Sequence, residues 1–131
     1  MKVFIILAAF VLVSVAGTCF AADEAPAAGG KVLYHVVSLK FKPDTTPDQI
    51  KEVDDAFAAL KGKIPVVMSL NWGDNISPEK RDHGFTQCFV ATFASEKDRD
   101  AYLVDPAHKA FGKLAGPHFE DVMVLDFWAK E

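Results

Sequence analysis

"HFEDVMVLDFWAK", His118 to Lys130, decides the architecture. Its β-branched and aromatic content reads as a strand. Val122 and Val124 alternate with Met123, Leu125 and Phe127, so the strand is apolar on both faces. A strand of a half-solvated antiparallel sheet alternates apolar with polar instead. This one needs cover from two sides. "KVLYHVVSLKFK", Lys31 to Lys42, reads the same way. Leu33, His35, Val37, Leu39 and Phe41 share one face, and Val32, Tyr34, Val36 and Ser38 share the other.

Between these two strands the hydrophobic period changes twice. "TPDQIKEVDDAFAALKG" is a helix with Thr46 as N-cap, Pro47 at the first helical position and Gln49 completing a capping box. Ile50, Val53, Phe57 and Leu60 form its apolar stripe, and Gly62 is expected to end it. "PVVMSLNWG" reads as a second strand, with Met68, Leu70 and Trp72 on one face. The polar loop "DNISPEKRDHG" follows, then a third strand, "FTQCFVATF". "SEKDRDAYLVDPAHKAFGKLAG" is helical, with Ser95 as N-cap and its end near Gly116. The order β-α-β-β-α-β is the ferredoxin-like α+β pattern, an antiparallel sheet with its helices on one face. Two helices cover only one side of such a sheet. The other apolar side, bearing Tyr34, Val36 and Met123, is expected to meet a second copy of the chain, giving a homodimeric α+β barrel.

The chain has 131 residues. Met1-Lys2, the apolar run Val3 to Val15 and the small residues Cys19 and Ala21 have the form of a secretory signal peptide over residues 1–21. Left uncleaved, Val3 to Ala22 is about long enough to span a bilayer. Cleavage is the expectation, with a secreted or periplasmic product that has no further dealings with the membrane. Residues 22–30, "ADEAPAAGG", form a flexible leader, and residues 31–131 form one domain.

Net charge is −4, with no basic run or stripe, so the electrostatic footprint of nucleic-acid binding is missing. Of two cysteines, Cys19 lies in the signal. Cys88 is then alone, is expected to be a small buried hydrophobe, and leaves the domain to hold together without a disulfide. The four histidines have no metal-ligand spacing, and no metal or organic cofactor is expected.

Candidate chemistry centres on "DAYLVDPAHKAFG", Asp100 to Gly112. Pro106 cannot continue the helix before it. Asp105 can cap a new helix whose first residue is Pro106 and whose inward stripe is Ala107, Ala110, Phe111 and Leu114. The bend lets Tyr102 and His108 approach one space from two directions. A neutral histidine can take a proton from carbon beside a carbonyl, and a tyrosine hydroxyl can bond the oxygen as charge builds on it. The plainer reading is packing alone, with His108 at a helix start and Tyr102 a core aromatic. His35 and Asp126 fall on neighbouring strands and can pair, with Gln87 joining from the other neighbour of the first strand. They form either a satisfied buried network or the floor of a pocket. Leu39, Phe57, Leu70, Phe89 and Phe111 complete the expected lining. His83 and His118 read as surface residues.

"HVVSLKFK", "LNWGDNISPEKRDHGFTQCFVATFAS", "DAYLVDPAHKAFG" and "VMVLDFW" together resemble the stress-responsive A/B barrel (Dabb) family, from about Val32 to Trp128. The resemblance implies the dimeric α+β barrel. It also implies kinship with a plant polyketide cyclase that closes a poly-β-keto chain by intramolecular aldol condensation without a cofactor. That enzyme's catalytic tyrosine and histidine fall on Tyr102 and His108. Asp105 and Gln87 each stand where it has a histidine. Three functions are therefore expected in competition. One is a dimeric module binding a small apolar or aromatic molecule. Another is a cofactor-free lyase or cyclase of a carbonyl substrate. The last is a stress-protective structural dimer without activity.

Overall fold

The structure is a computed structural model that describes residues 30–130. The signal segment and all of the leader except Gly30 lie outside the described residues. Strand β1 (Leu33–Phe41) is followed by helix α1 (Pro47–Ala58) and a short helix α2 (Leu60–Lys63). Strands β2 (Ser69–Asp74) and β3 (Gln87–Phe93), helices α3 (Glu96–Val104) and α4 (Pro106–Ala115), a 3-10 turn (Gly116–His118) and strand β4 (Phe119–Trp128) complete the fold.

Helices α1, α3 and α4 start where a side chain can satisfy the free backbone N–H groups. The Thr46 hydroxyl accepts from the Gln49 backbone N–H at 3.3 Å, and the Gln49 side chain accepts from the Thr46 N–H at 2.9 Å. Ser95 caps α3 through the Asp98 N–H, at 3.1 Å. Asp105 ends α3 in extended conformation and caps α4 through the Ala107 N–H, at 2.7 Å. The break before Pro106 is thus real and has both its expected causes. Two helix details differ from the sequence reading. Gly62 does not end the first helical segment, because the chain breaks at Ala59 and resumes to Lys63, which buries Leu60 and Ile64. On α4 the inward residues are Ala107, Phe111 and Ala115, while Ala110 and Leu114 are exposed.

The sheet has the order β2-β3-β1-β4, and every neighbouring pair is antiparallel. Leu33, His35, Val37 and Leu39 of β1 point to the helices and are buried, beside Phe89, Ala91 and Phe93 of β3. Against them pack Val53, Phe57 and Leu60 of the first helical segment and Tyr102 of α3. Rings of Phe57 and Phe89 stack at 3.9 Å, and Phe111 and Trp72 flank that stack at 4.8 and 5.3 Å.

The opposite face carries Tyr34, Val36, Ser38, Met123, Leu125 and Phe127, with the Tyr34 and Phe127 rings stacked at 5.2 Å. Cys88, opposite Ser38, lies on this face too. It is a free thiol and only half-buried, not the core residue the sequence suggested, because the register turns it away from the helices. Along β4 even the helix-side residues Val122 and Val124 stay exposed, since the helices reach no further than β1 over most of that strand.

Candidate functional site

Tyr102 and His108 come together. Tyr102 lies on the last turn of α3 and is 1 % exposed, while His108 lies on the first turn of α4. Their ring centroids are 4.5 Å apart. The Pro106 break makes this contact, because six residues along one straight helix would place the two side chains about 120° apart around its axis and about 9 Å apart along it. Phe111 approaches His108 at 6.5 Å but does not separate it from Tyr102.

His35 approaches the pair from the sheet. Its ring meets Tyr102 edge-on at 5.7 Å and Phe93 at 6.2 Å. Its Nδ1 is 2.6 Å from Oδ1 of Asp126, directly across the β1–β4 ladder. The expected His35–Asp126 pair is therefore present. Arg99 completes it from α3, donating through Nη1 to Oδ2 of Asp126 at 2.6 Å and through Nε to Asp100 at 2.7 Å.

Burial sets the protonation of the two central groups. It lowers the His108 pKa below the ordinary value of 6.5, and the nearby His35 adds to the effect. The Leu103 backbone and the Asp105 carboxylate act the other way and are outweighed. Burial also raises the Tyr102 hydroxyl well above 10.0. A neutral imidazole thus faces a phenol that keeps its proton, which is the combination of a base and a hydrogen-bond donor.

The remaining expected lining residues divide. Leu39, Phe57 and Phe89 are packed into the core, and Leu70 and Phe111 lie against it half-buried. Gln87 does not join His35 and Asp126. The register sets His35 opposite Ala91 and Gln87 opposite Leu39, four residues on, or about 13 Å along the strand. Gln87 instead donates to Asp74 at 3.3 Å and accepts from the Thr86 hydroxyl. With Asp74, Arg81, His83 and Cys88 it lines a hollow of about 640 Å³ under the β2–β3 loop, toward the open face. Near that end lies Asp54 of α1, 6 % exposed, whose Oδ1 has no partner among the described residues. Desolvation, and then the charge of Asp74, raise its pKa to about 6. Asp54 and Arg99 escaped the sequence reading because a charged residue in a helix ordinarily marks a solvated face. The one available signal was that Asp54 follows Val53 on the apolar stripe. Among the described residues, no three His, Cys, Asp or Glu side chains cluster to hold a metal ion. No helix among them is long and apolar enough to cross a membrane.

Four antiparallel strands in this order, with helices on one side and a tyrosine–histidine contact at a helix break, define a ferredoxin-like α+β domain. The chain belongs to the Stress responsive A/B Barrel Domain (Dabb) family, whose sequence profile matches residues 33–129. It is 28% identical to olivetolic acid cyclase of Cannabis sativa over 93 residues, 71% of this chain and 92% of that protein. The hydroxynitrile lyase of Passiflora edulis superposes with a TM-score of 0.73 at 26% identity, over 78% of this chain and 96% of the other. A dimeric ferredoxin-like protein from Jannaschia sp. superposes with a TM-score of 0.65 at 25% identity, over 73% of this chain and 97% of the other.

Proposed function

We propose that this protein is a cofactor-independent lyase or cyclase that makes or breaks a carbon–carbon bond beside a carbonyl group, and that it works as a homodimer outside the cytoplasm. The observation that carries the reading is the contact of a neutral His108 with a protonated Tyr102 at 4.5 Å. In the cleavage of a cyanohydrin, His108 takes the hydroxyl proton. The oxygen pair becomes the carbonyl bond, cyanide departs with the bonding pair, and His108 returns the proton to it. In the condensing direction, His108 takes a proton from carbon between two carbonyls. That carbon attacks a second carbonyl, whose oxygen is held by the Tyr102 hydroxyl and finally takes the proton. The likeness to a cyclase and to a hydroxynitrile lyase supports both directions. The half-exposed apolar face of Met123, Leu125 and Phe127 supports the dimer, as does the dimeric relative. The signal-like N-terminus supports a secreted or periplasmic address.

Mandelonitrile cleavage, followed as benzaldehyde release, tests the reading. Turnover is expected to rise with pH through a midpoint below 6.5, because only neutral His108 is a base. His108→Ala should abolish turnover and Tyr102→Phe should lower it by about 10²-fold. Wild-type turnover in His108→Ala would refute the assignment. A second reading, a non-enzymatic dimer that binds a small molecule, is favoured by the 640 Å³ hollow beneath the β2–β3 loop, within the usual range for ligand sites of about 300–1,000 Å³. Failure to cleave mandelonitrile or to cyclise a linear poly-β-ketone would favour it.

A further inference from the structure

We propose that Arg99 is a positioning residue of this site, acting through Asp126 to fix which nitrogen of His35 carries the proton. The inference rests on the acid–base reading of Tyr102 and His108 and adds a residue outside that pair. Asp126 sits on the edge strand β4, where the neighbouring helix-side residues Val122 and Val124 have no helix over them. From the sheet, only the bond to His35 keeps its carboxylate from turning to water. Arg99 adds the second hold. The guanidinium grips Oδ2 at 2.6 Å while Oδ1 meets His35 Nδ1 at 2.6 Å, so both oxygens are committed. Arg99 is itself braced by Asp100, through a different nitrogen. Its side chain is mostly covered, and it lies three residues before Tyr102, on the same face of α3.

A carboxylate held this way accepts, so Nδ1 of His35 donates. In a neutral imidazole the other nitrogen, Nε2, is then an acceptor. The ring that carries it meets Tyr102 edge-on, and Tyr102 touches His108. The groups that face His35 are Asp126 from β4, Phe93 from β3 and Tyr102 from α3, with His108 from α4 near enough to couple to it electrostatically. Of these only Asp126 accepts a bond from His35 in the structure. Were Asp126 free to swing away, His35 could exchange tautomers and present a donor where it now presents an acceptor. The hydrogen-bonding character of the site's floor therefore depends on a salt bridge at its outer wall.

The test reads the tautomer directly. In the ¹⁵N-labelled wild type, the ring nitrogens of His35 are expected to show one neutral tautomer, protonated at Nδ1. In Arg99→Gln they should show a mixture of the two. Arg99→Lys, which keeps a cation beside Asp126, should restore the single tautomer. With mandelonitrile as probe, Arg99→Gln should lower kcat about tenfold and leave KM within twofold, and Arg99→Lys should recover most of the loss. An unshifted His35 tautomer in Arg99→Gln overturns the proposal, whether or not the wild type cleaves mandelonitrile. A shifted tautomer supports it even when no turnover is found. A measurement on the wild type alone guards against a variant that fails to fold. The Arg99 guanidinium, held by two carboxylates, should give separate Nη signals in the cold, and a single averaged signal overturns the proposal.

Discussion

Asp54→Asn should stabilise the protein, and by an amount that depends on pH. The carboxyl is 6 % exposed and its Oδ1 has no hydrogen-bond partner among the described residues. Burial and then the nearby Asp74 raise its pKa from 3.8 to about 6. The folded chain therefore holds this proton where the unfolded chain has lost it. Stability from this group is full below about pH 4 and is lost as pH rises through about 6. At roughly 1.4 kcal/mol per pH unit, the loss at neutral pH comes to about 3 kcal/mol. Asparagine has nearly the same shape and never ionises. Urea unfolding at pH 7.5 should show Asp54→Asn more stable than the wild type by about 2–3 kcal/mol, and the gap should close toward pH 4.5. A variant less stable at pH 7.5, or equally shifted at both pH values, would show that the Asp54 carboxylate has a favourable partner and refute the reasoning.

Two further outcomes follow from the packing. Leu125→Asp puts a charge in the middle of the apolar open face, and since a charge buried without a partner costs several kcal/mol, sedimentation should show the proposed dimer split into folded monomers; an unchanged dimer would place the interface elsewhere. Thr46→Ala removes half of the capping box of α1 and should lower unfolding stability by about 1 kcal/mol, measured by urea denaturation.

Much of the fold is legible in the residues, and the reasons are local. The Thr46–Gln49 box, the Ser95 cap and the Asp105-Pro106 break are short-range chemistry, and each stands where the sequence indicated. The strand faces follow from alternation, which is why strand order and residue parity are enough to pair His35 with Asp126. Gln87 was misplaced because alternation fixes the face of a residue but not its position along a ladder, and the β1–β3 register is set by packing across the whole sheet. Cys88 and the exposed Leu114 show the same limit: an apolar residue in a run looks buried until the reach of the covering helix is known. Asp54 and Arg99 are invisible for the opposite reason. A charge on a helix looks solvated until the neighbouring element is found to lie over it.

Strand β4 leaves a liability for a newly folded chain. It is ten residues long, stands at the edge of the sheet, and exposes Val122 to Leu125 on both of its faces. An edge with free backbone and apolar side chains is a template for adding foreign strands, the step that seeds aggregates. Glu120 and Asp121 stand just before that run and Asp126 just after it, so carboxylates bracket the sticky core. Asp126 is thus placed to hinder such addition as well as to pair with His35. Its replacement by an apolar residue would disturb the site and, during synthesis at high concentration, shorten the time a lone chain stays in solution.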